Sequence, residues 1–266
     1  MHDMGHMFIF GLGYSSKAIA SRLGGWRIEA TGRDGTHSFD DEDGVRAALA
    51  RASHVLSSVP PTEGGDPVLA RYGDALSHGW LGYLSSTGVY GDTGGAWVDE
   101  TSPVGTGRRS ARAEADLAWL AKGARIFRLP GIYGPGRSPL DRVREGKAHR
   151  IDLPGQVFSR VHVDDIANGV VTALDAPPGA YNLADNLPAS AATVTEETCR
   201  LLGLDPPRLQ SLVEAGLSPM ARGFYAENRR VANGKARRVL GWDPTFPTYR
   251  EGLAAILAGE RAPAAP

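Results

Sequence analysis

Through the first half of the chain, short apolar runs alternate with stretches whose apolar residues recur at helical spacing. Met7-Phe8-Ile9-Phe10 is the first such run, and it breaks at Gly11-Leu12-Gly13 into a helical pattern that begins near Ser15. Further strand-like runs occupy residues 26–31, 54–59, 81–86 and 125–129, with small or polar residues at or just after their ends. Between them Asp66 reads as a helix cap with Pro67 at the first helical position, ahead of Leu69, Tyr72 and Leu76. The alanine-rich stretch 111–122 reads as another helix, closed by Gly123. Strand and helix alternating in this way predict an α/β fold with a parallel sheet.

After about residue 134 the pattern loosens into loops and shorter elements. On an open α/β sheet these would cover the carboxyl ends of the strands, where ligands bind. Two late helices are well marked: residues 193–202 stop at Gly203, and Thr248 with Glu251 forms a capping box ahead of Leu253, Ile256 and Leu257. Gly241-Trp242-Asp243-Pro244 reads as a turn between helices, and the tail 262–266 as frayed.

Composition narrows the partners. A net charge of −1 with no basic cluster argues against a nucleic-acid partner, and no apolar run is long enough to cross a bilayer. The single Cys199 excludes an internal disulfide and a thiol metal cage, which fits a reducing cytoplasm; it falls in a helical pattern as a small apolar residue. Residues 1–6 lack signal-peptide character. The expectation is a cytoplasmic monomer or homodimer acting on a small molecule, with no membrane or metal requirement.

The chemistry begins at the glycine turn. Gly11 suits a tight turn with unusual backbone angles, Gly13 lets the main chain approach a pyrophosphate, and Ser16 permits close packing of helix on strand. Phosphates would sit at the helix start near Ser15, where free N–H groups and the positive end of the dipole point at them. The same glycines also occur in plain strand-to-helix connections.

Six blocks then occur in the order found in one protein family: Gly11-Leu12-Gly13-Tyr14-Ser15-Ser16, Leu84-Ser85-Ser86-Thr87-Gly88-Val89-Tyr90-Gly91, Asp99-Glu100-Thr101-Ser102-Pro103, Arg128-Leu129-Pro130-Gly131-Ile132-Tyr133-Gly134-Pro135-Gly136, Val161-His162-Val163-Asp164-Asp165-Ile166-Ala167 and Tyr181-Asn182-Leu183-Ala184-Asp185. Together they resemble the extended short-chain dehydrogenases/reductases, the nucleotide-sugar epimerase and dehydratase type. The resemblance implies a Rossmann-type doubly wound parallel sheet over residues 7–135, with segments near 156–185 returning to it. It also implies a small α+β substrate-binding part, mainly over residues 136–260. Cofactor contacts are implied for Gly11, Gly13, Tyr14, Ser15, Ser16, Ser58, Pro60, Ser85 and Pro130.

The catalytic match fails. Family members that oxidise a carbinol use a Ser or Thr at the end of the Ser-Ser-Thr strand, then a Tyr and a Lys four residues later. The Lys charge and the cofactor ribose lower the tyrosine pKa, so that phenolate takes the hydroxyl proton as hydride leaves. Ser86 occupies the serine position. Counting back from Glu114, taken as the family's helix glutamate, puts Thr106 at the Tyr position and Ser110 at the Lys position. Neither can do that job, and residues 104–124 contain no tyrosine. Either another group supplies the acid and base, with Tyr90, Tyr133, His162 and Tyr225 as candidates, or the chain binds dinucleotide without turning it over. His162 with Asp164 and Asp165 suggests a metal site less than it suggests a helix cap at a strand-to-helix junction.

Cofactor choice turns on Thr31-Gly32-Arg33-Asp34, where NAD-preferring folds place an acid to hold the ribose. Arg33 is placed to pair with a 2′-phosphate, which favours NADP, although Asp34 would serve the ribose if the strand ended later. For substrate, Arg137, Arg160 and Arg222, the last beside Phe224 and Tyr225, form a candidate diphosphate clamp.

Overall fold

The computed structural model describes residues 5–107 and 110–261. Six parallel strands form the central sheet: β1 (His6–Phe10), β2 (Arg27–Ala30), β3 (His54–Ser57), β4 (Trp80–Ser86), β6 (Arg125–Leu129) and β10 (Gly179–Asn182), in the spatial order β10-β6-β4-β3-β1-β2. Successive side chains of a strand point to opposite faces, and β1 shows why the sheet is covered on both. Phe8 and Phe10 pack with Val45 of α2 (Glu42–Arg51), Tyr72 of α3 (Pro67–Tyr72) and Trp119 of α4 (Ser110–Ala121). Met7 and Ile9 pack with Ile19 of α1 (Tyr14–Arg22) and Ile166 of α6 (Val163–Thr172). The fold is the doubly wound α/β arrangement expected.

The local signals explain most boundaries. Asp66 accepts the N–H groups of Val68 and Leu69, and Pro67 opens α3, whereas Asp41 caps α2 through the N–H of Gly44. Helix α7 (Ala191–Leu202) starts two residues earlier than its apolar pattern suggests because Ser190 caps it, and it stops at Gly203, whose φ is +67°. Helix α9 (Tyr249–Arg261) opens with the Thr248 N–H on the Glu251 carboxylate.

Two expectations are corrected. The run at 54–59 is shorter as a strand than its sequence pattern, ending at Ser57, so that Ser58 to Pro61 form the loop after β3. The cap of α6 is not an aspartate: His162 Nδ1 accepts the Asp164 N–H at 3.2 Å, and Asp165 instead accepts the N–H groups of Thr245 and Phe246. These contacts tie the carboxylate to the backbone of the segment before α9.

At the sheet edge, β2 carries Glu29, which is 8% exposed. His6, Arg27, His37 and Arg51 all lie within 3.4 Å of its carboxylate, so the charge that the pattern turns inward is surrounded by donors.

The strands beyond the sheet are short parallel pairs. They are β5 (Trp97–Val98) with β12 (Arg230–Val231), β7 (Gly131–Tyr133) with β9 (Arg160–His162), and β8 (Arg150–Ile151) with β11 (Leu209–Gln210). Helices α5 (Pro139–Arg144), α7 and α9 close a second, smaller core through Leu140, Val194, Leu253 and Ile256. Helix α8 (Pro219–Phe224) lies among the loops of this part. Residues 1–4 and the tail 262–266 are outside the described residues.

Candidate functional site

A cleft of about 1040 Å³ runs from the glycine turn, over the ends of β4 and β6, to the walls made by α5, α7 and α8. Its first end is built by backbone. Gly11 adopts φ +84°, its N–H bonds Thr31 Oγ1 at 3.1 Å, and Ser58 Oγ donates to its carbonyl at 2.5 Å. The turn is thereby pinned to the ends of β2 and β3. A side chain at Gly11 would also meet Ser58 Oγ at 2.9 Å, whereas a Cβ at Gly13 would meet nothing within 4 Å. Gly13 therefore faces open cleft, and α1 begins directly after it. Ser16 lines the same end; its Oγ is fully buried and has no hydrogen-bond partner.

The middle of the cleft rests on a buried polar network. Ser85 Oγ donates to Asp116 Oδ2 at 2.6 Å, and Arg128 donates to both oxygens of Asp116 at 2.7 and 3.1 Å. Arg128 Nη1 also donates to Tyr90 Oη, which donates to Asn182 Oδ1 at 2.8 Å. Beside this network Ser86 caps a short turn: its Oγ accepts the Gly88 N–H at 3.1 Å and lines the cleft.

The candidate acid and base groups sit differently from their expected roles. Tyr90 is 2% exposed, does not line the cleft, and burial pushes its pKa up to about 12. Tyr133 is 4% exposed with an unpartnered hydroxyl, packed so closely on α9 that a Cβ at Gly252 would lie 2.1 Å from it. Burial raises its pKa well beyond the ordinary tyrosine value. Tyr90 lies outside the cleft, whereas Tyr133 lines it. Tyr225 lines the cleft edge-on to Phe158, and burial raises its pKa too. His162 is 2% exposed and occupied as the cap of α6; burial lowers its pKa.

Helix register is a further correction. Thr106 precedes α4 and donates to the Tyr90 carbonyl, and neither it nor Ser110 lines the cleft. The α4 residue that does is Arg112, whose Nη1 donates to Tyr83 Oη at 2.8 Å. Arg112 stands one helical turn before Asp116, the acidic residue that faces the sheet, so the inward face of α4 is two residues out of step with the count from Glu114. Arg108, four residues before Arg112 in the sequence, is outside the described residues.

Among the arginines, the cleft gathers Arg137 and Arg160 but not Arg222, which is exposed. Arg160 donates to the carbonyls of Phe158 and Ala189 at 2.8 and 2.9 Å and lies over the Tyr249 ring. Arg142 and Arg229 also line this half, the latter paired with Glu227 at 2.9 Å. Arg33 and Pro60 are exposed beyond the cleft, past the ends of β2 and β3, while Pro130 lines it. Asp34, also exposed, is engaged by Lys17 of α1 at 2.5 Å.

Near Arg160 lies Asp185, whose pKa burial pushes up to about 7, with the Leu187 N–H and then Arg160 only partly offsetting the shift. A carboxyl with a raised native pKa holds its proton between pH 4 and 7 when the unfolded chain has lost it, so stability falls as pH rises through that window. Asp185→Asn is expected to gain stability relative to wild type by an amount near zero at pH 4 and on the order of a few kcal/mol at pH 8. Urea denaturation at the two pH values checks this; an equal difference at both would refute it.

No protein-family model matches the chain. A protein from Silicibacter pomeroyi, described as functionally unknown and conserved, is 40% identical over 97% of this chain and all of its own, with a TM-score of 0.84. The chain belongs to that protein's family. Its fold is shared with a Thermotoga maritima UDP-glucose 4-epimerase, which superposes with a TM-score of 0.77 at 15% identity, covering 96% of this chain and 98% of its own. Human epimerase family protein SDR39U1, solved with NADPH, superposes with a TM-score of 0.76 at 17% identity, covering 95% of this chain and 99% of its own. A Streptomyces 3-diazoavenalumate denitrifying reductase is 34% identical over 153 residues, 53% of this chain and 48% of the relative. The chain spans about half the length of the curated relatives it matches.

Proposed function

We propose that the chain is an NADP(H)-dependent oxidoreductase acting on a small anionic substrate. The observation that carries the reading is the continuity of one cleft from the open cradle at Gly13, past Ser86, to Arg142 and Arg160. The cradle fits a dinucleotide. A Cβ at Gly13 would enter the space above the start of α1, and the buried Ser16 Oγ beside it lacks a partner. Gly11, Gly13, Tyr14, Ser15 and Ser16 would hold the diphosphate, with Ser58, Pro60 and Arg33 on the adenosine side and Ser85 and Pro130 towards the nicotinamide. When bound, the cofactor supplies or accepts hydride.

The chain's own residues orient the substrate. The Ser86 hydroxyl, held by the Gly88 N–H, retains a proton to donate to a substrate oxygen. Arg160 and Arg142 place positive charge in the far half, beside the Phe158 and Tyr225 rings. A carboxylate or phosphate on an aromatic or sugar-like body matches that combination. The reductase named among the relatives supports reduction over epimerisation.

A second reading, dinucleotide binding without turnover, is favoured by the burial of Tyr90 outside the cleft. Following NADPH absorbance with a panel of carbonyl compounds and nucleotide sugars separates the two: oxidation supports the enzyme, binding without oxidation the alternative. Calorimetry should give tighter binding of NADPH than NADH by roughly tenfold to a hundredfold, lost in Arg33→Ala, since a charge-assisted contact contributes about 1.5–3 kcal/mol. Equal affinities in wild type would remove the NADP assignment.

A further inference from the structure

Arg137 belongs to a turn that the fold presses against the phosphate cradle. Gly134 and Arg137 exchange backbone hydrogen bonds at 3.2 and 3.0 Å, and Gly136 between them takes φ +70°. The turn is clamped from both sides. Tyr14 Oη donates to the Pro135 carbonyl at 3.0 Å, and a Cβ at Gly134 would lie 2.5 Å from Tyr14 Oη and 2.6 Å from Val163 Cγ1. Only a residue without a side chain allows this approach. The result is that the Arg137 guanidinium lies 5.8 Å over the ring of Tyr14, the first residue of α1.

Three features of this corner point to a diphosphate. Gly13, Ser15, Ser16 and Arg137 line one end of the cleft together. Ser16 Oγ, fully buried there, has no partner. Among the described residues no carboxylate forms an ion pair with Arg137, whereas Arg229 in the far half is neutralised by Glu227. A cation placed over an aromatic ring loses less freedom when it binds an anion than one on a free side chain, and a guanidinium grips a diphosphate through paired N–H donors. Charge of this sign beside a helix amino end attracts the same ligand that the helix does.

We infer that Arg137, expected from the sequence to grip substrate, instead clamps the cofactor diphosphate, with Tyr14 as its positioning platform and Ser16 Oγ as a further donor. The assignment rests on the dinucleotide reading above and extends it to a residue distant in sequence from the glycine turn. Because the diphosphate is common to both cofactors, Arg137 tightens NADPH and NADH alike, in contrast to Arg33.

The test is calorimetric titration of NADPH, NADH and ADP-ribose into wild type, Arg137→Ala, Arg137→Lys and Tyr14→Leu, with thermal melts of the free proteins as a folding control. Arg137→Ala is expected to weaken all three ligands at least tenfold by a common factor, Arg137→Lys to recover part of the loss, and Tyr14→Leu to lose an intermediate amount. The wild-type Kd for NADPH should also rise more steeply with salt than that of Arg137→Ala. Unchanged cofactor Kd values in folded Arg137→Ala and Arg137→Lys, or a change confined to the KM of a reduced substrate, would overturn the assignment while leaving dinucleotide binding intact. Failure of wild type to bind any of the three ligands would instead sink the dinucleotide reading itself. Should Arg137→Ala melt early, the lysine variant decides: a wild-type Kd there, combined with an unaltered salt slope in Tyr14→Leu, rejects the clamp.

Discussion

Asp116→Ala is expected to destabilise the protein by about 3–5 kcal/mol, the range for removing one partner of a buried ion pair. Asp116 is fully buried and Arg128 is 2% exposed, so the variant leaves a guanidinium in the core with, among the described residues, only Tyr90 Oη as a side-chain acceptor. Ser85 Oγ loses its acceptor in the same step, which adds the cost of an unmet buried hydroxyl. Asp116→Asn keeps the shape and one acceptor, and should cost less. Urea unfolding followed by circular dichroism provides the measurement. A loss below 1 kcal/mol would show that Arg128 finds water or another partner. Because Ser85 and Ser86 are consecutive at the end of β4, the alanine variant is also expected to bind cofactor less tightly at temperatures where it remains folded.

Gly13→Val should reduce dinucleotide affinity by at least 100-fold, on the order of 3 kcal/mol, and leave the fold unchanged. The two halves of that expectation have separate grounds. Gly13 has φ −96°, which a branched residue tolerates, and a Cβ there meets no protein atom within 4 Å, so the free protein accommodates valine. The same space is where a diphosphate would approach the start of α1, and two methyl groups would occupy it. Gly11→Val gives the contrast. At φ +84°, with Ser58 Oγ 2.9 Å from the added Cβ, it should lower stability as well as affinity. Calorimetry paired with thermal melts separates the variants. Normal NADPH binding by Gly13→Val would mean that the diphosphate lies elsewhere.

The sheet was legible because its signals are local. Met7 to Phe10 is an unbroken apolar run followed by glycines, and Asp66-Pro67, Gly203 and Thr248 with Glu251 mark helix ends through hydrogen bonds to neighbours a few residues away. The glycine turn was legible for the same reason. The rest of the site is made of contacts between distant segments, which leave no trace in spacing. Arg137 lies over Tyr14 because Gly134 packs against α1, and Tyr133 is sealed by Gly252. His162 took the capping role assigned to the aspartates because its Nδ1 reaches the Asp164 N–H, a choice between adjacent polar residues that sequence does not rank. The helix register was misread for a sharper reason. Glu114 and Asp116 are both acidic, and only the burial of Asp116 against Arg128 shows which one faces the sheet.

The ring of donors around Glu29 bears on how the protein behaves in company. A strand at the margin of a sheet offers unpaired backbone groups to any other chain, and charge fixed in such a strand is one of the ways proteins discourage that pairing. A strand arriving from a second molecule would have to pack against the Arg27 and Arg51 guanidiniums gathered on Glu29, and would strip their water without supplying a new carboxylate. The edge at β2 is in this sense guarded against the fibrillar growth that an apolar margin invites. Neutralising it, as in Glu29→Val with Arg27→Val, would give a protein that keeps its fold at low concentration and aggregates as concentration rises.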